Sequence, residues 1–144
     1  MSSIQSSPLL RNALALDAAA CAGMGLLLAM AAGPLAAPLG LPETLLRGAG
    51  ILLLPCAALL AVLASRRILP RFAVYAVIGI NLVWIVDSLA ILLMGWFAPT
   101  GLGIAFVLGQ AAAVAIVTEL EVIGFRRSPA LVEGALDADG ARLR

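Results

Sequence analysis

The stretch FAVYAVIGINLVWIVDSLAILLMGWF, residues 72–97, decides the fold, because its 26 residues hold one charged side chain, Asp87. A helix needs about 20 mostly apolar residues to cross the ~30 Å hydrocarbon core of a bilayer. Three more stretches of that kind flank it, at roughly 13–33, 45–64 and 102–125. Nothing in them alternates with period two over ten-residue segments, so a transmembrane barrel is excluded. The reading is an all-α chain, a transmembrane four-helix bundle occupying residues 1–127, with a short cytoplasmic tail at 128–144.

Composition points the same way. Hydrophobic residues make up 63% of the 144-residue chain and charged residues 12%. A soluble domain carries about 25% charged residues, so this sequence cannot build a fully water-exposed surface. Aromatics are 5% and alanine is abundant, so the helices carry small side chains and can approach closely. The chain has no histidine, which removes the commonest metal ligand and the usual general base near neutral pH. Cys21 and Cys56 fall in the first and second spans without CxxC spacing and read as small buried hydrophobes. Neither a metal site nor a cofactor is expected, and the net charge of +1 offers nothing to nucleic acid.

Arginine placement orients the spans. Arg11 precedes the first, Arg66, Arg67 and Arg71 crowd the link between the second and third, and Arg126 and Arg127 follow the fourth. The first link carries only Glu43 and Arg47, and Ala98-Pro99-Thr100-Gly101 carries no charge. Short basic links stay inside, so both termini are expected in the cytoplasm. Arg11, the first apolar run and the small residues Ala31 to Ala37 also resemble a signal peptide, whose cleavage would leave three spans. The run exceeds the ~7–15 residues of a secretory h-region and contains Asp17, which favours a retained anchor.

Proline and glycine punctuate the pattern. Gly33-Pro34, Pro38 and Leu41-Pro42 are expected to end the first span, with Pro42-Glu43-Thr44 opening the second. Leu69-Pro70 opens the third, Pro55 should kink the second, and Pro99-Thr100-Gly101 turns tightly into the fourth. Trp96 and Phe97 sit where an outer-interface anchor belongs. Residues 1–8 and the tail from Ser128 read as extensions without a core of their own. Small residues recur every four positions as Cys21, Gly25, Ala29 and Gly33, and again as Gly101, Ala105, Gly109 and Ala113, rows that let helix backbones approach. Asn81, Ser88 and Gly95 recur every seven, the spacing of a seam facing a neighbour. The last two helices should form a tight antiparallel hairpin. These rows suit a homo-oligomer or a membrane-protein partner as well as contacts within the chain.

Ionisable groups inside spans cost about 2.5 kcal/mol or more each on insertion scales, so each needs an account. Around a turn near 98–101, residues whose numbers sum to about 199 share a depth. That sets Asp87 and Ser88 level with Gln110 in an outer layer, and Asn81 level with Thr118 and Glu119 in an inner layer that also contains Asp17. Glu119 and Glu121 diverge by about 160° around the helix, so both cannot face one site. Two readings of the inner acids stay open: snorkelling partners of Arg11, Arg126 and Arg127, or a cluster of Asp17, Glu119 and Asn81 that takes up a proton or cation. Asp87 has no basic residue at its depth and is the single residue on which a functional reading rests most heavily.

The run from Asn81 to Arg127 resembles a family of small, uncharacterised bacterial four-span integral membrane proteins. Its marks are Asn81-Leu-Val-Trp84, Gly95-Trp-Phe-Ala-Pro-Thr-Gly-Leu-Gly-Ile-Ala-Phe-Val-Leu-Gly-Gln110 and Glu119-Leu-Glu121 with Arg126-Arg127. The resemblance implies a bacterial inner membrane and carries no catalytic motif. The leading functional expectation is a non-enzymatic structural or accessory component packing with itself or a membrane partner. The alternative is a minimal proton- or cation-coupled transporter or channel using intramembrane carboxylates. An enzyme ranks last, with no nucleophile motif and no sizeable extramembrane domain.

Overall fold

The computed structural model describes residues 3–131. Its order is β1 (Ser3–Gln5), α1 (Pro8–Leu39), α2 (Glu43–Ser65), β2 (Ile68–Pro70), α3 (Arg71–Leu93), α4 (Gly101–Arg126) and β3 (Ala130–Leu131). All four helices are long and apolar enough to cross a membrane. Large apolar side chains such as Leu16, Met30, Ile51, Val86, Leu102 and Ile116 point outward on every helix. Water would not tolerate that surface, whereas hydrocarbon is its matched solvent. The molecule is a multi-pass membrane protein.

The first span runs further than its prolines suggest. Pro34 and Pro38 lie inside α1, which continues to Leu39. Pro34 cannot donate to the carbonyl one turn before it, and the backbone yields at Ala31, which leaves helical angles at φ −107°, ψ 16°. The proline therefore bends the helix instead of ending it, as apolar surroundings favour, since an unwound turn would bare unpaired backbone groups to lipid. The end comes at Gly40, whose φ of 64° is left-handed, while the N–H of Leu41 closes back on the Ala36 carbonyl at 3.2 Å, a glycine-terminated cap. Helix α2 runs unbroken through Pro55. Helix α3 stops at Leu93, so Trp96 and Phe97 lie in the link with Gly95 at φ 68°.

Helix α1 is the central post. It packs on α2 and α4, and α4 packs on α3, while α2 and α3 scarcely meet. Glycines set the close approaches. A Cβ on Gly50 would strike the backbone of Ala29 and the Gly25 carbonyl, which places α2 directly on α1. Along α4 the contact row is Gly103, Val107, Ala111 and Gly124, all buried. A Cβ on Gly103 would strike the Leu39 carbonyl, and one on Gly124 would lie 2.6 Å from the Leu10 nitrogen. Gly101, Ala105, Gly109 and Ala113, the row singled out by spacing, face outward instead.

The terminal segments do more than extend. Strand β1 lies between β2 and β3, antiparallel to both, with Ile4 opposite Leu69 and Ala130. Ser7 caps α1 by accepting from the Leu10 N–H, and its hydroxyl donates to the Gly124 carbonyl at 2.8 Å. Its own N–H donates to Ser128 Oγ at 3.0 Å. Buried Ile4, Leu10, Leu14, Leu69 and Val74 form the core beneath this sheet. A second core, with Leu28, Leu39, Leu46 and Val107, fills the opposite end.

At that opposite end Thr100 joins α1 to α4. Its hydroxyl accepts from the Gly103 N–H and donates to the Pro38 carbonyl, and its N–H donates to Leu39 O at 3.0 Å. Thr100→Val should lose both hydroxyl bonds and lower stability by about 1 kcal/mol. Unfolding by sodium dodecyl sulfate in mixed micelles, followed by circular dichroism, reads that loss.

Candidate functional site

Toward the end of the bundle that carries the sheet, three polar side chains from three helices meet. Asn81 of α3 is buried, at 8% exposure, with Asp17 of α1 at 2% and Glu121 of α4 at 0%. The Asn81 amide nitrogen donates to Asp17 Oδ2 and to Glu121 Oε2, each at 3.2 Å. Both neighbours are acceptors when ionised, so the NH2 end must face them, and its two hydrogens serve one acid each. Cys21, one turn along α1, directs its thiol to Asp17 Oδ1 at 3.7 Å. Glu121 Oε1 is buried and finds no partner among the described residues.

Among the described residues no arginine neutralises the pair. Arg11 donates through Nε to the Ala64 carbonyl at 3.2 Å, and Arg71 stacks over Phe125 with 5.5 Å to the ring centroid. Among the described residues the ion pair within reach is Arg47 with Glu43, at the other end of the molecule. Two buried carboxyl groups with one amide between them need a compensating positive charge, a proton or a cation, because paired negative charge is prohibitive at that depth. The arrangement can therefore accept and release one positive charge between two acids.

The depth reading links Asp17 and Asn81 with Glu119, whereas the structure brings Glu121 to them. Glu121 shares the inward face of α4 with Gly103, Val107, Ala111 and Gly124. Glu119 faces outward, beside Thr118 and Arg126 in a shallow groove against Ile78 and Leu82 of α3. Depth arithmetic ignores the azimuth of a side chain. Thr118 is buried but returns its hydroxyl to the Val114 carbonyl at 2.7 Å and takes no part in the cluster.

The cluster is approached through the gap between α2 and α3. An inner cavity of about 250 Å³ is lined by Asp17, Cys21, Asn81 and Cys56 among apolar side chains. An outer cavity of about 540 Å³ is lined by Asp87, Ser88 and Gln110. Leu52 of α2 and Trp84 of α3 line both cavities and so stand at their junction. Asp87 is exposed, and no hydrogen bond joins it to Gln110; Ser88 Oγ donates to the Trp84 carbonyl at 2.7 Å. The six candidate residues thus separate into Asp17 with Asn81 at the inner cavity, Asp87, Ser88 and Gln110 at the outer one, and Glu119 outside both.

Among the described residues no group of three His, Cys, Asp or Glu side chains is arranged to hold a metal ion. Comparison with protein-family models, with curated proteins and with solved structures finds no match to this chain.

Proposed function

We propose that this is a multi-pass protein of a bacterial inner membrane, with both termini cytoplasmic, that works as a minimal proton- or cation-coupled transporter. One observation carries the reading: the buried Asp17–Asn81–Glu121 cluster, without a basic partner among the described residues, at the foot of a gap that continues toward Asp87. A cluster that served only to lock helices together would gain most from complete pairing, whereas Glu121 Oε1 has no hydrogen-bond partner among the described residues. Intramembrane acids that face a bundle interior or cavity commonly mark ion and proton pathways.

The test uses proteoliposomes with an entrapped pH dye. An imposed acid pulse should enter faster through wild-type protein than through empty vesicles, and a sodium gradient serves as the parallel arm. Asp17→Asn and Glu121→Gln should each bring the rate to the empty-vesicle value. Rates equal to empty vesicles for wild type in both arms would leave the other reading ahead. That reading, a non-enzymatic component packing with a second copy or a membrane partner, draws support from the outward row Gly101, Ala105, Gly109 and Ala113.

A further inference from the structure

The outer cavity has an unusual lining for so aromatic-poor a chain. Both tryptophans of the protein, Trp84 and Trp96, line it, together with Phe97 and Phe106, two of its four phenylalanines. Asp87 is the one charged residue in the lining. Arg47, the basic residue of α2, is engaged with Glu43 and does not line the cavity. The volume of about 540 Å³ falls in the range of small-molecule sites.

Aromatic faces carry negative electrostatic potential and attract weakly hydrated cations, quaternary ammonium groups above all. An apolar body suits the surrounding leucines, and a fixed negative charge selects the sign. A divalent metal cation favours several acidic ligands, and Asp87 is the one acid in these walls. An anion would meet Asp87 with no basic residue in the lining.

We propose that this cavity binds a lipophilic organic monocation, with Asp87 opposing its charge and Trp84, Trp96, Phe97 and Phe106 enclosing its apolar body. The site names the cargo of the transport reading above, and rests on that reading only for the claim that the bound cation is moved. The geometry supplies an exchange logic: cargo charge at Asp87 in the outer cavity, compensating charge at Asp17 and Glu121 beyond the Leu52–Trp84 junction.

The experiment compares benzyltrimethylammonium with neopentylbenzene, its uncharged isostere, at equilibrium in pure-lipid vesicles without any gradient. Emission from Trp84 and Trp96 reports occupancy directly, since no other tryptophan is present. Wild type should bind the cation about tenfold or more tightly than the isostere. Asp87→Asn should abolish that preference, and Asp87→Glu should retain it. Equal affinity of wild type for the two probes overturns the site, as does an undiminished preference in Asp87→Asn. The wild-type comparison stands whether or not a variant folds. Absence of proton or sodium flux would remove the transport reading and leave this equilibrium binding in place, whereas lost discrimination removes the site and leaves flux in place.

Discussion

Asn81→Leu should be among the most damaging single substitutions in the chain, lowering stability by about 3–5 kcal/mol, the range for removing one partner from a buried charged group. The reason lies in the geometry of the amide, which donates to Asp17 and Glu121 at 3.2 Å each. Leucine keeps the branched outline of the side chain but leaves both carboxyls without the amide donor at the wall of a mostly apolar cavity. The same argument predicts its own rescue. Adding Glu121→Gln to Asn81→Leu supplies a new amide beside Asp17 and removes one acid, so the double variant should recover at least half of the loss. Unfolding in mixed micelles measures all members of the cycle, and strong coupling between the positions is the signature. A loss below about 1 kcal/mol in Asn81→Leu would show that the amide is dispensable.

Gly103→Ala should be comparably severe, at about 3 kcal/mol, because the added carbon meets the backbone carbonyl of Leu39 and not a side chain that can turn aside. Gly109→Ala is the control, since nothing lies within 4 Å of a Cβ there. Alanine at that position should be neutral or stabilising by up to about 1 kcal/mol through helix propensity. The same pair separates packing within the chain from packing between copies. If Gly109→Ala proved as damaging as Gly103→Ala, its outward row would have to be buried against something else.

The spans were legible because length and apolar content are read directly against bilayer thickness, and 72–97 needs no other argument. Their ends were less so. Pro34 and Pro38 look like terminators by rules shaped in water, where an interrupted helix can bond to solvent; inside α1 the chain bends at Ala31 instead. The sheet was invisible for a different reason. Strands of two or three residues, as in Ser3–Gln5 and Ala130–Leu131, are too short to display alternation, and their pairing joins segments more than sixty positions apart. Asp17 and Asn81 could be named as polar groups of similar depth, but the choice between Glu119 and Glu121 depends on which face of α4 meets α1. That is set by Gly103 and Gly124, whose steric role appears only when Leu39 and Leu10 are in place.

The three-stranded clasp has a mechanical consequence for the gap it closes. Helices α2 and α3 are tethered through β2 at one end, where β1 and β3 brace the joint. At the far end α2 begins and α3 finishes with no strand between them. Two rods fixed together at one tip can separate only like tweezers, with displacement growing along their length. The free space already tapers that way, from about 540 Å³ at the open tips to about 250 Å³ nearer the joint. Any opening of α2 from α3 that pivoted on that joint would widen the space around Asp87 more than the space around Asn81.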